Sequence, residues 1–178
     1  MTSDEDLLIA VRAGDLAAFD VLYARYERRL FGYVRRMVGD RERAQDLFQD
    51  VLFTVLRDTT FDPERGRFGA WLFTVARNRC LQLQRQAEQR GAKEHLVDTT
   101  STPEGDPDAQ VDRQRKVREA MAGLTEPQRQ LLLLKQVGEL TYREIAAALG
   151  VAEGTIKSRR HDATRALRRR LVELGGPQ

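Results

Sequence analysis

From Phe19 to Val34 the apolar residues fall three and four apart: Phe19, Leu22, Tyr23, Tyr26, Leu30 and Val34. That spacing lays one apolar stripe along a helix of about six turns and does not fit the period of two that a strand needs. The same rhythm returns in Leu47, Phe48, Val51, Leu52 and Val55, and again in Trp71, Leu72, Val75 and Ala76. Aromatic residues make up only 7% of the chain and β-branched residues never cluster, which argues against a sheet. Punctuation between the helical stretches is of the expected kind. Gly14 stops a short first helix, DLLIAVRAG, and Gly39-Asp40 breaks the long one, with Asp40 placed as an N-cap. FDPERGRF (61–68) reads as a turn-rich loop, since Asp-Pro initiates turns and Gly66 relieves the backbone.

Periodicity fails over residues 88–112. DTTSTPEGDPDAQ (98–110) is too polar to bury the apolar surface that ordering requires, so the segment reads as a flexible linker. Helices resume near residue 111. Thr125–Gln128 and Thr141–Glu144 fit capping boxes, and glycine in Leu149-Gly150 suits a left-handed helix end. The expected fold class is therefore all-α: two small helical domains, 1–90 and 113–178, joined by an acidic flexible linker, 91–112.

The charge is uneven. Residues 1–90 carry 15 Lys/Arg against 14 Asp/Glu, residues 91–114 carry 2 against 6, and residues 115–178 carry 13 against 7. A basic C-terminal module fits a polyanion such as nucleic acid, or an ordinary solvated helix surface. The longest apolar run, LLLL at 131–134, is far too short to span a bilayer, so no membrane insertion is expected. MTSDEDLL is acidic where an export signal needs positive charge, and a cytoplasmic protein is expected. One cysteine, Cys80, and two histidines, His95 and His161, give neither a disulfide nor a metal-ligand set. The expectation is no catalytic residue, no metal and no cofactor. An enzyme is disfavoured because neither histidine has a plausible catalytic companion and Cys80 reads as a small apolar helix residue.

YREIAAALGVAEGTIKSRRH (142–161) matches a helix-turn-helix. Ile145, Leu149, Val151 and Ile156 sit where two helices must pack, Ala146 is small at their crossing, and Gly150 lies in the turn. Such a unit projects its second helix into the major groove. Thr155, Lys157, Ser158, Arg159, His161 and Arg165 are the candidates to meet base edges and phosphates. Arg160 falls in the apolar stripe with Ile156, Ala163 and Leu167. Since an unpaired buried guanidinium is too costly, its head is expected to reach water, a carboxylate or phosphate while its methylenes cover the core.

Segment 124–171, LTEPQRQ through RRRL, resembles the fourth conserved region of bacterial RNA polymerase sigma factors. Residues 15–56 together with 61–80 resemble the second region. The order, the spacing and the lack of a folded third region resemble the reduced extracytoplasmic-function group. The resemblance implies a non-catalytic subunit of transcription initiation that binds core RNA polymerase, through its β and β′ subunits, and promoter DNA, and that has an anti-sigma partner. It puts Asp46, Gln49 and Asp50 on the β′ clamp helices; with residue 53 they share one helix face, which by itself reads first as an ordinary solvated acidic face. It puts Asp62, Arg65 and Arg67, in the loop, and Trp71, Arg77, Asn78 and Arg79 at the melting −10 element, with Trp71 alone reading as core. The helix-turn-helix would read the −35 duplex. The chain departs from the family after Cys80, where Gln82 and Gln84 replace charged and apolar residues, and at Arg160 and Asp162. A conventional helix-turn-helix regulator that acts without polymerase is the alternative.

Overall fold

The computed structural model describes residues 2–58, 60–89 and 107–175, and among them every regular element is helical. The elements are α1 (Asp4–Arg12), α2 (Leu16–Val38), α3 (Arg41–Arg57), one 3-10 turn (Pro63–Arg65), α4 (Phe68–Gln89), α5 (Pro107–Ala122), α6 (Glu126–Gln136), α7 (Tyr142–Leu149) and α8 (Glu153–Glu173).

Local chemistry sets most of these boundaries. Asp15 accepts from the amides of Ala17 and Ala18, and Asp40 from that of Arg43, so α2 and α3 each start on a side-chain cap. Gly39 ends α2 at φ 86°, a backbone region closed to most side chains. α4 is capped from outside its own sequence: the Phe68 amide donates to Glu5 Oε1 of α1 at 2.8 Å. α5 begins at Pro107, so residues 107–112, expected in the linker, are helical. A first-turn proline has its φ already set and gives up only an amide that would have no helical partner. The rest of that expected linker, with His95, lies outside the described residues.

The first group, α1–α4, closes around Leu8, Leu30, Tyr33, Val34, Met37, Val51, Phe68, Phe73 and Cys80, all buried. Its rings meet edge to face, Tyr33 on Phe73 at 5.5 Å and Tyr26 on Phe68 at 5.3 Å. Cys80 is part of this core, and burial pushes its thiol up to about 12, as a small apolar residue and not a nucleophile requires. The second group, α5–α8, closes around Ala120, Leu131, Leu134, Leu140, Ile145, Ile156 and Ala163.

Leu131, Leu132, Leu133 and Leu134 are all buried. Four consecutive residues sweep most of the way around a helix, so α6 must be covered on nearly every side. α7 and α8 cover it within its own group, and α2 covers it from the other. Apart from Ala120, the buried apolar side chains of both groups form one continuous cluster.

Candidate nucleic-acid interface

The helix-turn-helix is built as its spacing predicts. Thr141 caps α7 through a reciprocal box: the Glu144 amide donates to the Thr141 hydroxyl at 3.2 Å, and the Thr141 amide donates to Glu144 Oε2 at 2.7 Å. Gly150 takes the left-handed conformation, φ 65° and ψ 36°, that turns the chain toward α8. Ile145, Ala146 and Ile156 are buried between the helices, and Ala163 extends that seam along α8.

This leaves the other side of α8 in solvent. Lys157, Ser158, Arg159, His161 and Arg165 are exposed, and Thr155 is half-buried beneath them. Their internal contacts are weak and easily exchanged. Lys157 lies 3.5 Å from Glu153 and Arg165 lies 3.2 Å from Asp162, both on the exposed surface. Arg160 is exposed too, with its guanidinium 5.8 Å above the Tyr142 ring centroid. Its head does leave the core, but it rests on an aromatic face.

In the first group the expected residues divide into three settings. Asp46, Gln49 and Asp50 stand exposed on α3, and Phe53 joins them with 54% of its surface in solvent. The opposite face of α3 buries Ala44, Leu47, Phe48, Val51 and Val55. In the loop, Asp62 caps the 3-10 turn and pairs with Arg65 at 3.2 Å, leaving the Arg65 head in solvent. Trp71 is half-buried in a ring cluster, 5.2 Å from Phe61 and 5.9 Å from Phe68, as a core residue would be. On α4, Asn78 and Arg79 are exposed, with Arg79 donating to the Thr54 hydroxyl at 3.2 Å. The departures after Cys80 have local uses: Gln84 donates to the Met37 carbonyl near the end of α2, and Gln82 accepts from Arg79.

Two of the expected DNA-facing arginines are engaged elsewhere. Arg67 makes a two-pronged pair with Glu144 of α7, Nε–Oε1 at 2.6 Å and Nη2–Oε2 at 2.7 Å. Burial alone would raise the Glu144 carboxyl, but hydrogen bonds from Arg67 and Thr141 outweigh it and hold it at about 2. Arg77, half-buried on α4, donates through Nε to Gln130 Oε1 of α6 at 2.7 Å, and burial lowers its pKa.

A third contact uses a residue that the sequence did not single out. Arg29 of α2 donates to the carbonyls of Val137, at 3.1 Å, and Gly138, at 2.6 Å, and pairs with Glu139 at 3.1 Å. Neither Arg29, Gln130 nor Glu144 carries a local signal of this role. Each sits more than fifty positions from its partner, and Glu144 is already accounted for by its cap.

Comparison with known proteins agrees with the two-part organisation. The family model for sigma-70 region 2 matches residues 22–90, and that for sigma-70 region 4 matches residues 114–167. The chain is 36% identical over 176 residues to the ECF RNA polymerase sigma factor SigK of Mycobacterium tuberculosis strain ATCC 25618 / H37Rv, covering 94% of each chain. It is 37% identical over 168 residues to SigL of Mycobacterium tuberculosis strain ATCC 35801 / TMC 107 / Erdman, covering 92% of this chain and 94% of that one. Among solved structures it resembles CnrH in complex with the cytosolic domain of CnrY, with a TM-score of 0.74 over 97% of this chain and 99% of that one at 23% identity, a likeness of fold alone. It also resembles RpoE of Bartonella quintana in complex with the anti-sigma factor NepR, with a TM-score of 0.72 over 86% of this chain and 96% of that one at 26% identity.

Proposed function

The chain belongs to the extracytoplasmic-function sigma factors of the sigma-70 family, and on that premise we propose how its surfaces divide the work. It binds core RNA polymerase and directs promoter-specific transcription initiation, as a non-catalytic subunit acting in the cytoplasm. No helix among the described residues is long and apolar enough to cross a membrane.

The α3 face docks on the polymerase clamp. Asp46, Gln49 and Asp50 supply charge and hydrogen-bonding groups, and exposed Phe53 supplies the apolar anchor that a stable interface needs at its centre. The α8 face reads the −35 duplex, with Lys157, Arg159 and Arg165 toward phosphates and Thr155, Ser158 and His161 toward base edges. The loop and α4 take the melted −10 strand. Asn78 and Arg79 stand ready in solvent, and Asp62, Arg65, Arg67 and Arg77 complete the site around the ring cluster that holds Trp71. Residues 1–90 and 113–178 act as the two reading domains, and the acidic stretch between them spans from one to the other. An anti-sigma partner would have to cover these same surfaces, and the solved relative RpoE has one bound.

The observation that carries this reading is that one chain presents both an open helix-turn-helix face and, on a separate helical group, an exposed α3 face that carries Asp46, Gln49, Asp50 and Phe53. In vitro transcription with purified core polymerase, followed by mapping of start sites, tests it. Starts at specific positions that depend on the chain are expected. Operator binding by the chain alone, with no stimulation of polymerase, would make it a conventional regulator.

A further inference from the structure

The first helix, α1, precedes the residues that match sigma-70 region 2, yet it touches both ends of the loop that leads into α4. Glu5, Leu8 and Arg12 are spaced three and four apart and so share one face of α1. Leu8 is buried between the other two, which turns the carboxylate and the guanidinium toward the same side of the group. Glu5 Oε1 accepts from the Phe68 amide at 2.8 Å, at the start of α4. Arg12, about 10 Å of helix rise further along, donates to the carbonyl of Asp58, the residue that ends α3. Each charge has the sign its helix end favours: a carboxylate at the amino end of α4, a guanidinium at the carboxyl end of α3. α1 is itself tied down, since Asp4 accepts from Arg25 at 2.6 Å and from the Tyr26 hydroxyl. The first turn of α4 closes on that same hydroxyl, and a Cβ on Gly69 would stand 2.8 Å from its oxygen.

We propose that α1 is a brace for this loop: Glu5 and Arg12 are positioning residues that fix its two ends, Phe68 and Asp58, and so hold it in the shape in which it meets the melted −10 strand. This role rests on the reading of the loop as part of the −10 site, and it belongs to residues that touch no DNA themselves. Fixing the ends matters because the loop has few holds of its own. Asp62 caps the 3-10 turn and Phe61 is buried against Phe68 and Trp71, while Pro63, Glu64, Arg65 and Gly66 are exposed. A loop held at both ends has fewer conformations to lose, so less of its affinity for DNA goes into ordering it. Glu5 is half-buried and Arg12 exposed, which makes the Phe68 end the firmer of the two.

The test uses the full chain, alone and with core polymerase. Glu5→Ala removes the acceptor for the Phe68 amide, Glu5→Gln keeps one without the charge, and Arg12→Ala removes the hold on Asp58. Trp71, the one tryptophan of the chain, packs on Phe61 and reports the loop through acrylamide quenching of its fluorescence. Glu5→Ala is expected to raise that quenching about twofold, Arg12→Ala less, and Glu5→Gln least. Permanganate then reads promoter opening at a start site mapped by transcription in vitro. Opening should fall roughly three- to tenfold with Glu5→Ala and less in the other two, in the same order, while core binding and closed-complex formation stay at wild type. Arg65→Ala, in the loop itself, reads whether the loop serves the −10 site at all. Unchanged quenching in both alanine variants would overturn the brace. Raised quenching with normal opening, when Arg65→Ala opens poorly, would keep the loop at the −10 site and overturn the brace's part in it. Normal opening in Arg65→Ala as well would overturn the −10 reading of the loop, and the brace's role with it. A parallel loss of core binding and opening would make α1 a stabilising helix only, which also overturns the role.

Discussion

Phe48, Phe61, Phe68, Phe73 and Tyr33 are buried in the first group, whereas every buried apolar residue of the second is aliphatic. Half-buried Tyr142 is the one aromatic residue in the sequence after Phe73. Large rings meeting edge to face let α1–α4 bury much of their surface against each other. The second group has small side chains, and its central helix α6 carries more apolar surface than α7 and α8 can cover. It completes its burial against α2. The difference teaches that the first group serves as the platform for the second group's packing, and that the second group carries arginine on its outer surface.

The comparison can be broken at several points. Phe73→Ala should have the largest effect, because Phe73 packs on Tyr33 and also supports Arg29. A loss of about 3–5 kcal/mol is expected. If the first group is the platform, helix loss in thermal unfolding should take in both groups, and hydrogen exchange should show α6 losing protection along with α2. Unchanged protection of α6 would make the second group self-sufficient.

Reversing charge at Asp46 and Asp50 together should weaken holoenzyme formation by about 10- to 100-fold, read by competition for core polymerase. The fold should be untouched, since both side chains point into solvent. Equal affinity would take docking away from α3.

Lys157→Ala should lower promoter affinity several-fold and reduce the slope of log affinity against log salt by about one if the lysine meets a phosphate. Loss of discrimination at a single −35 position, with the slope unchanged, would move it to a base edge.

Arg160→Leu should have the smallest effect, a loss of about 0.5 kcal/mol from its exposed contact with Tyr142, read in the thermal unfolding of the full chain. Stabilisation by leucine would mean that the position belongs to the apolar stripe after all.

Much of this molecule was legible in the sequence. The stripe from Phe19 to Val34, the caps at Asp40 and Thr141, the turn at Gly150 and the outward set on α8 all stand as their spacing predicts. The four leucines at 131–134 held a signal that went unread: a run with no polar side must be covered from several directions. The helical start at Pro107 was hidden by a polar, acidic composition that reads as loop.

What the sequence determined by itself is whatever rests on contacts within about four residues: helix periods, caps, glycine turns, and hence a helix-turn-helix with an exposed outer face. Hydrogen bonds of that range are specified by neighbours and need no partner from elsewhere. Tertiary structure alone decided that Arg29 would meet the end of α6, Arg77 meet Gln130 and Arg67 meet Glu144. Those pairs meet only where α2 and α4 pack against α6 and α7, and arginines and glutamates look alike in sequence until packing brings one beside another.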